Sequence, residues 1–91
     1  MNFGQAIEHL KQGNKVARAG WNGKGMFLVY IKGSVVAPYN STPYHDNKIM
    51  DIDGKVTINP HIDMLTATGE MQPGWLASQT DMLAEDWEIV L

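Results

Sequence analysis

The chain contains no cysteine, so no disulfide can staple it and no thiolate zinc site can form. A reducing compartment is the natural reading. Basic residues are few: seven against ten acidic ones, a formal net charge of −3. A protein that grips a nucleic-acid backbone normally shows a basic balance, so polymeric nucleic acid is not expected as a partner. A small anion held by local groups is compatible with that charge. No apolar run approaches the ~18 residues that a membrane span needs, and no charged leader with an apolar stretch points to secretion. His9, His45 and His61 have no metal-ligand spacing, and none of Ser34, Ser41 and Ser78 sits in a nucleophile motif. Neither a metal nor a cofactor is expected. No repeat or low-complexity segment interrupts the chain.

What is present fits one domain over residues 1–91, with 44% hydrophobic and 19% charged residues, a globular composition. A core this small often gives only ~3–5 kcal/mol, and the usual supports are disulfides, metals or oligomerisation. Self-association is the support left to this chain.

The patterning predicts an α+β fold: an N-terminal amphipathic helix, an antiparallel sheet of about four to six strands, and a short helix near the C-terminus. Residues 2–12 read as the first helix. Asn2 and Gln5 have capping-box spacing, and Phe3, Ala6, Ile7 and Leu10 form one apolar stripe. Residues 16–18 read as a short strand, and 20–25, with three glycines, as a loop. Residues 26–32 form a buried strand, 35–37 a further fragment, and 38–48 an exposed loop. Asp53-Gly54 reads as a hairpin turn joining strands 49–52 and 55–58. Ser78 and Asp81 form a second capping box, opening a helix through Ala84. Residues 86–90 close as a last strand.

Two groups of residues suggest binding. Arg18, the sole arginine, stands three residues before Trp21 in a glycine-flanked loop. A guanidinium suits bidentate phosphate or carboxylate binding, and an indole gives a purine a flat face. An equally simple reading pairs Arg18 with Asp86 or Glu88 and makes Trp21 the roof of a small core. Trp75 follows Pro73-Gly74 and precedes the Ser78 cap. The N–H groups of a helix start suit phosphate or ribose oxygens, and Ser78, Gln79 and Thr80 add polar groups. The alternative is that Ser78 and Asp81 only satisfy each other's backbone, and Asp81 also weakens any attraction for an anion. Trp87 reads as a core anchor, and Met26 and Met82 as core fillers. His61-Ile62-Asp63 places His and Asp on one strand face, the best catalytic hint in the chain.

Beyond these readings, the sequence resembles a known family along essentially its whole length. The strings are Phe3-Gly4-Gln5-Ala6 with Leu10 and Gly13, then Val16-Ala17-Arg18-Ala19-Gly20-Trp21-Asn22-Gly23. Pro60-His61-Ile62 and Thr66-Ala67-x-Gly69 follow. The ending is Trp75-Leu76-Ala77-Ser78-Gln79-Thr80-Asp81-Met82-Leu83-Ala84-Glu85-Asp86-Trp87. They resemble the second class of Thoeris anti-defence proteins of phages and prophages. The segment 35–59 is the least diagnostic.

The resemblance implies a sponge rather than an enzyme. Thoeris defence makes a cyclic ADP-ribose isomer on infection, and members of this family sequester that signal without cleaving it. Some relatives also capture cyclic dinucleotides of related defence systems such as CBASS. Homo-oligomers, commonly tetramers, with pockets between subunits are implied, acting in the cytoplasm of the infected host. Position by position, Trp21 becomes the stacking aromatic, with Arg18 and Asn22 at the same rim. Trp75, Ser78, Gln79, Thr80 and Asp81 become the other wall. Two competing functions stay open: an enzyme that alters the same signal through His61 and Asp63, and a protein–protein inhibitor of a defence effector with Trp21 and Trp75 as anchors.

Overall fold

The computed structural model describes residues 1–21, 24–40 and 42–91. It begins with α1 (Phe3–Lys11), started by the expected reciprocal cap. Gln5 N–H donates to Asn2 Oδ1 at 2.8 Å, and Asn2 N–H donates to Gln5 Oε1 at 2.9 Å. Gly13 follows the helix at φ +92°, a left-handed position that glycine takes without steric cost.

Five strands form one antiparallel sheet: β1 (Lys15–Arg18), β2 (Phe27–Ile31), β5 (His61–Leu65), β6 (Met71–Gln72) and β7 (Trp87–Val90). Their spatial order is β6-β5-β2-β1-β7. Val16 pairs with Ile89 and Arg18 with Trp87, while Leu28 pairs with Met64 and Tyr30 with Ile62. This register puts Val16, Leu28 and Trp87 on one face, where α1 buries Ala6 and Leu10 against them. Tyr30, Ile62, Met64, Phe3 and Ile7 pack around that core. Alternation sends Ala17, Glu88 and Val90 to the opposite face. The final helix, α3 (Gln79–Leu83), has the expected Ser78–Asp81 capping box. Trp87 is only 2% exposed, in keeping with its role as a core anchor.

The remaining strands, β3 (Ser34–Val36) and β4 (Val56–Ile58), form a separate antiparallel ribbon between β2 and β5 in the chain. The chain measures 45 × 26 × 25 Å, with a radius of gyration of 15.8 Å. A compact domain of this length would have a radius near ~12 Å. The elongation follows from the 34–58 arm. At its base Gly33 packs so tightly that a Cβ there would lie 2.8 Å from the Ile58 carbonyl oxygen.

Three expectations need correction in detail. Residues 49–52 are not a strand, and the partner of β4 is β3. Asp51 explains why: its Oδ1 accepts the N–H groups of Asp53 and Lys55, and its carbonyl accepts that of Gly54. This local turn competes with a ladder for the same backbone donors. The expected 38–48 loop contains the helix α2 (Pro43–Asp46), with Thr42 as cap and Pro43 in its first turn. His45 ties α2 to the 51–54 turn, with Nε2 2.9 Å from the Gly54 carbonyl and Nδ1 2.8 Å from Thr42 Oγ1. Finally, Met82 is exposed and Met26 lines a surface cleft, because α3 presents one turn to solvent and Met26 precedes the strand it was expected to join.

Candidate functional site

Arg18, at the end of β1, points to the place where the 19–21 turn meets α3 and the start of β7. Its Nε–H donates to Asp86 Oδ1 at 2.8 Å, and Nη1 donates to Asp81 Oδ1 at 2.9 Å. The same Asp81 oxygen accepts Trp21 Nε1–H at 3.2 Å, and Asp86 Oδ2 accepts Gly20 N–H at 2.8 Å. Asp81 Oδ2 accepts Ser78 N–H in the capping box, and the Asp81 carbonyl accepts Trp87 Nε1–H at 2.9 Å. Asp81 thus joins the lone guanidinium, the Trp21 indole and a helix cap through its carboxylate, and the Trp87 indole through its backbone carbonyl. A Cβ at Gly20 would stand 2.8 Å from Asp86 Oδ2, so any other residue there would push against the carboxylate that Arg18 holds.

Three indoles and a phenyl ring pack beside this network. Trp21 and Trp87 meet edge-to-face at 5.4 Å between centroids, and Trp21 and Trp75 at 6.4 Å. Phe3 lies 5.4 Å from Trp87 and 6.2 Å from Trp75. These are contact distances for aromatic pairs, so Trp21 and Trp75 touch each other instead of facing across a slot. Trp75 is pinned from behind: its N–H donates to the Ile62 carbonyl at 2.7 Å, and Gly74 N–H donates to Asp63 Oδ1 at 2.9 Å.

The electrostatics follow from these contacts. The hydrogen bond from Arg18 is the main force holding the Asp86 carboxyl below its ordinary value, against partial burial. For Asp81, burial pushes upward, and bonds from Arg18, Trp21 and Ser78 together outweigh it and hold the group low. A carboxyl depressed on folding adds stability that is complete above its unfolded value and is lost as pH falls through the folded one. The network therefore stands intact at neutral pH; the stability it adds starts to fade below the ordinary carboxylate range and is gone only once the pH has fallen past the depressed folded values. An Asp86→Asn protein is expected to show a shallower fall of Tm between pH 5 and pH 2 than the wild type; a parallel fall would mean that the Asp86 charge plays no part in folding.

Of the residues singled out in the sequence, the fold brings Arg18, Trp21, Trp75, Ser78 and Asp81 together. Gln79 and Thr80 sit exposed on the first turn of α3. Asn22 lies outside the described residues. The pairing of Arg18 with Asp86 matches the ion-pair reading of that arginine. Sequence reasoning did not foresee that Asp81 takes the same guanidinium. It also missed the cleft of about 290 Å³ that opens beside Trp21, lined by Ala17, Lys24, Met26, Glu88 and Val90 among others. No local pattern marks either, since the acidic partners lie 63 and 68 positions from Arg18.

His61 and Asp63 do share a face, with His61 Nε2 3.3 Å from Asp63 Oδ1. His61 Nδ1 lies 2.9 Å from the Asn59 carbonyl. Both ring nitrogens face oxygen acceptors within the chain, and Asp63 is held by Gly74. Among the described residues, no cluster of three or more His, Asp or Glu side chains has the arrangement of a metal site. No helix among them is long and apolar enough to cross a membrane.

Comparison with known proteins adds two findings. Residues 1–90 match a family model described as the Thoeris anti-defense 2-like domain. Thoeris anti-defense 2 of Bacillus phage SP01 is 40% identical over 90 residues, a span of 99% of this chain and 94% of that relative.

Proposed function

Because the chain belongs to the Thoeris anti-defense 2-like family of phage anti-defence proteins, we propose that it works by capture. It binds a cyclic nucleotide signal, a cyclic ADP-ribose isomer first of all, in the cytoplasm of the infected bacterium and holds it unaltered. Cyclic dinucleotides of CBASS-type defence form a second ligand class. The observation that carries this reading is the fixed Trp21 indole, tied through Nε1 to a carboxylate that Arg18 holds in place. A stacking surface that is ordered before the ligand arrives does not spend binding energy on being ordered.

Capture asks for affinity and abundance, not for transition-state chemistry. Free signal falls once sites outnumber messengers and their concentration exceeds the Kd.

The capturing species is a homo-oligomer, with a tetramer as the expected state. Val35, Tyr39, Ile49 and Ile52 on the 34–58 arm are 60–100% exposed, apolar side chains that a contact between subunits would cover. The test is calorimetry with a panel of cyclic ADP-ribose isomers on the species that light scattering defines, followed by heat denaturation and chromatography of the released ligand. Intact ligand in stoichiometric amount is expected. Altered product in excess of sites would establish an enzyme, and no binding to any isomer would favour direct inhibition of a defence protein.

A further inference from the structure

We infer that Lys24, rather than Arg18, supplies the cationic contact to the ligand's phosphate, in the cleft between Trp21, Met26 and the β1–β7 edge. The inference rests on the capture reading and assigns the chemistry within it.

Arg18 is the residue whose type suggests an anion site, yet its anions come from its own chain. Arg18 also lines the cleft, but three of its five N–H groups are taken: Nε–H and one Nη2–H face Asp86 at 2.8 and 3.5 Å, and one Nη1–H donates to Asp81 at 2.9 Å. One guanidinium against two carboxylates leaves the cluster net negative. A phosphate approaching it meets repulsion, and drawing the guanidinium away would strand both carboxylates. Arg18 is thus a positioning residue: it fixes Asp81, which holds the Trp21 indole.

Lys24 stands differently. Its side chain is exposed and lines the cleft, and among the described residues no carboxylate lies within ion-pair distance of its ammonium. The cleft has the mixed chemistry of a nucleotide half-site. Trp21 and Met26 give apolar walls, and Ala17 and Val90 a shallow floor from the sheet face that α1 does not cover. Glu88, exposed on β7, lines the cleft as well and brings an acceptor for a ribose hydroxyl or an exocyclic amine. At about 290 Å³ the cleft sits at the small end of ligand pockets. It takes one nucleoside phosphate unit, so a cyclic ligand with two such units leaves its other half outside this protomer's cleft.

The experiment titrates cyclic ADP-ribose and its glycosidic isomers into wild type, Lys24→Met, Lys24→Arg and Lys11→Met by calorimetry at low and high salt. Lys11, on the exposed side of α1 and paired with Glu8, controls for net charge at a distance. Lys24→Met is expected to bind about tenfold more weakly, with part of the salt dependence gone and Tm unchanged. Lys24→Arg should keep most of the affinity, and Lys11→Met all of it. If the wild type binds an isomer and Lys24→Met binds it equally well, the assignment of Lys24 is overturned and the capture reading stands. If the wild type binds no isomer, the capture reading fails and takes this assignment with it.

Discussion

Replacing Trp87 with alanine is expected to remove most of the protein's stability. Trp87 is 2% exposed, and its indole meets Phe3 and Trp21 at 5.4 Å and Trp75 at 6.1 Å between centroids. Truncating a buried tryptophan costs about 3–5 kcal/mol, the larger part coming from the cavity and the lost contacts. A core that supplies only ~3–5 kcal/mol has little left after that loss. The four-ring cluster would then collapse around a void, and the Asp81 carbonyl would lose the Nε1–H donor it accepts at 2.9 Å. Thermal unfolding followed by circular dichroism checks this, with a broad transition at much lower temperature expected. Trp87→Phe separates the two contributions: it keeps much of the packing and loses the donor, at a cost of about 1–3 kcal/mol. A Trp87→Ala protein that melts like the wild type would place the core elsewhere.

The second large effect is expected at Trp21 and falls on binding. Trp21 is half-buried, so its removal leaves Trp75, Trp87 and Phe3 to close the core, and the fold should persist at reduced Tm. Loss of one stacked base costs about 1–3 kcal/mol, or roughly 5- to 150-fold in affinity for a cyclic ADP-ribose isomer. Trp21→Phe should recover part of this, since a ring remains while the bond to Asp81 Oδ1 does not. Calorimetry read beside circular dichroism separates the outcomes. A Trp21→Ala protein that unfolds shows Trp21 to be a core residue first, and a folded one with wild-type affinity moves the ligand away from this indole.

The parts of the fold that the sequence made legible are those written in local chemistry. Both capping boxes, Asn2 with Gln5 and Ser78 with Asp81, lie at fixed spacings and mark helix starts where the structure has them. The apolar stripe of α1 and the short strands at 15–18, 27–31 and 87–90 follow from periodicity in the same way. The β3–β4 ribbon was hidden because its two strands are separated by the whole outer arm. The Asp53-Gly54 signal belongs to a turn that Asp51 closes on itself. The site was legible as a set of residue types and opaque as an arrangement. Arginine and tryptophan near each other announce anion binding and stacking alike, and nothing nearby says that Asp81 and Asp86 will claim the guanidinium. Those partners lie 63 and 68 positions further along the chain. Lys24 was opaque for the opposite reason: one surface lysine among six carries no mark until the fold sets it beside a cleft.

If the protein works by the capture proposed above, those long separations also couple messenger retention to complete folding. Arg18 reaches Asp81 and Asp86 only when the first strand and the end of the chain have met across the sheet, a closure that taxes chain entropy and slows assembly. A nascent or half-unravelled molecule has no ordered indole to offer, so it cannot hold a messenger and squander it on degradation. Occupancy in turn draws the equilibrium toward the finished state, by an amount that grows with the logarithm of ligand concentration. On that reading, an infected cell that raises more alarm would lengthen the lifetime of the molecules that capture it.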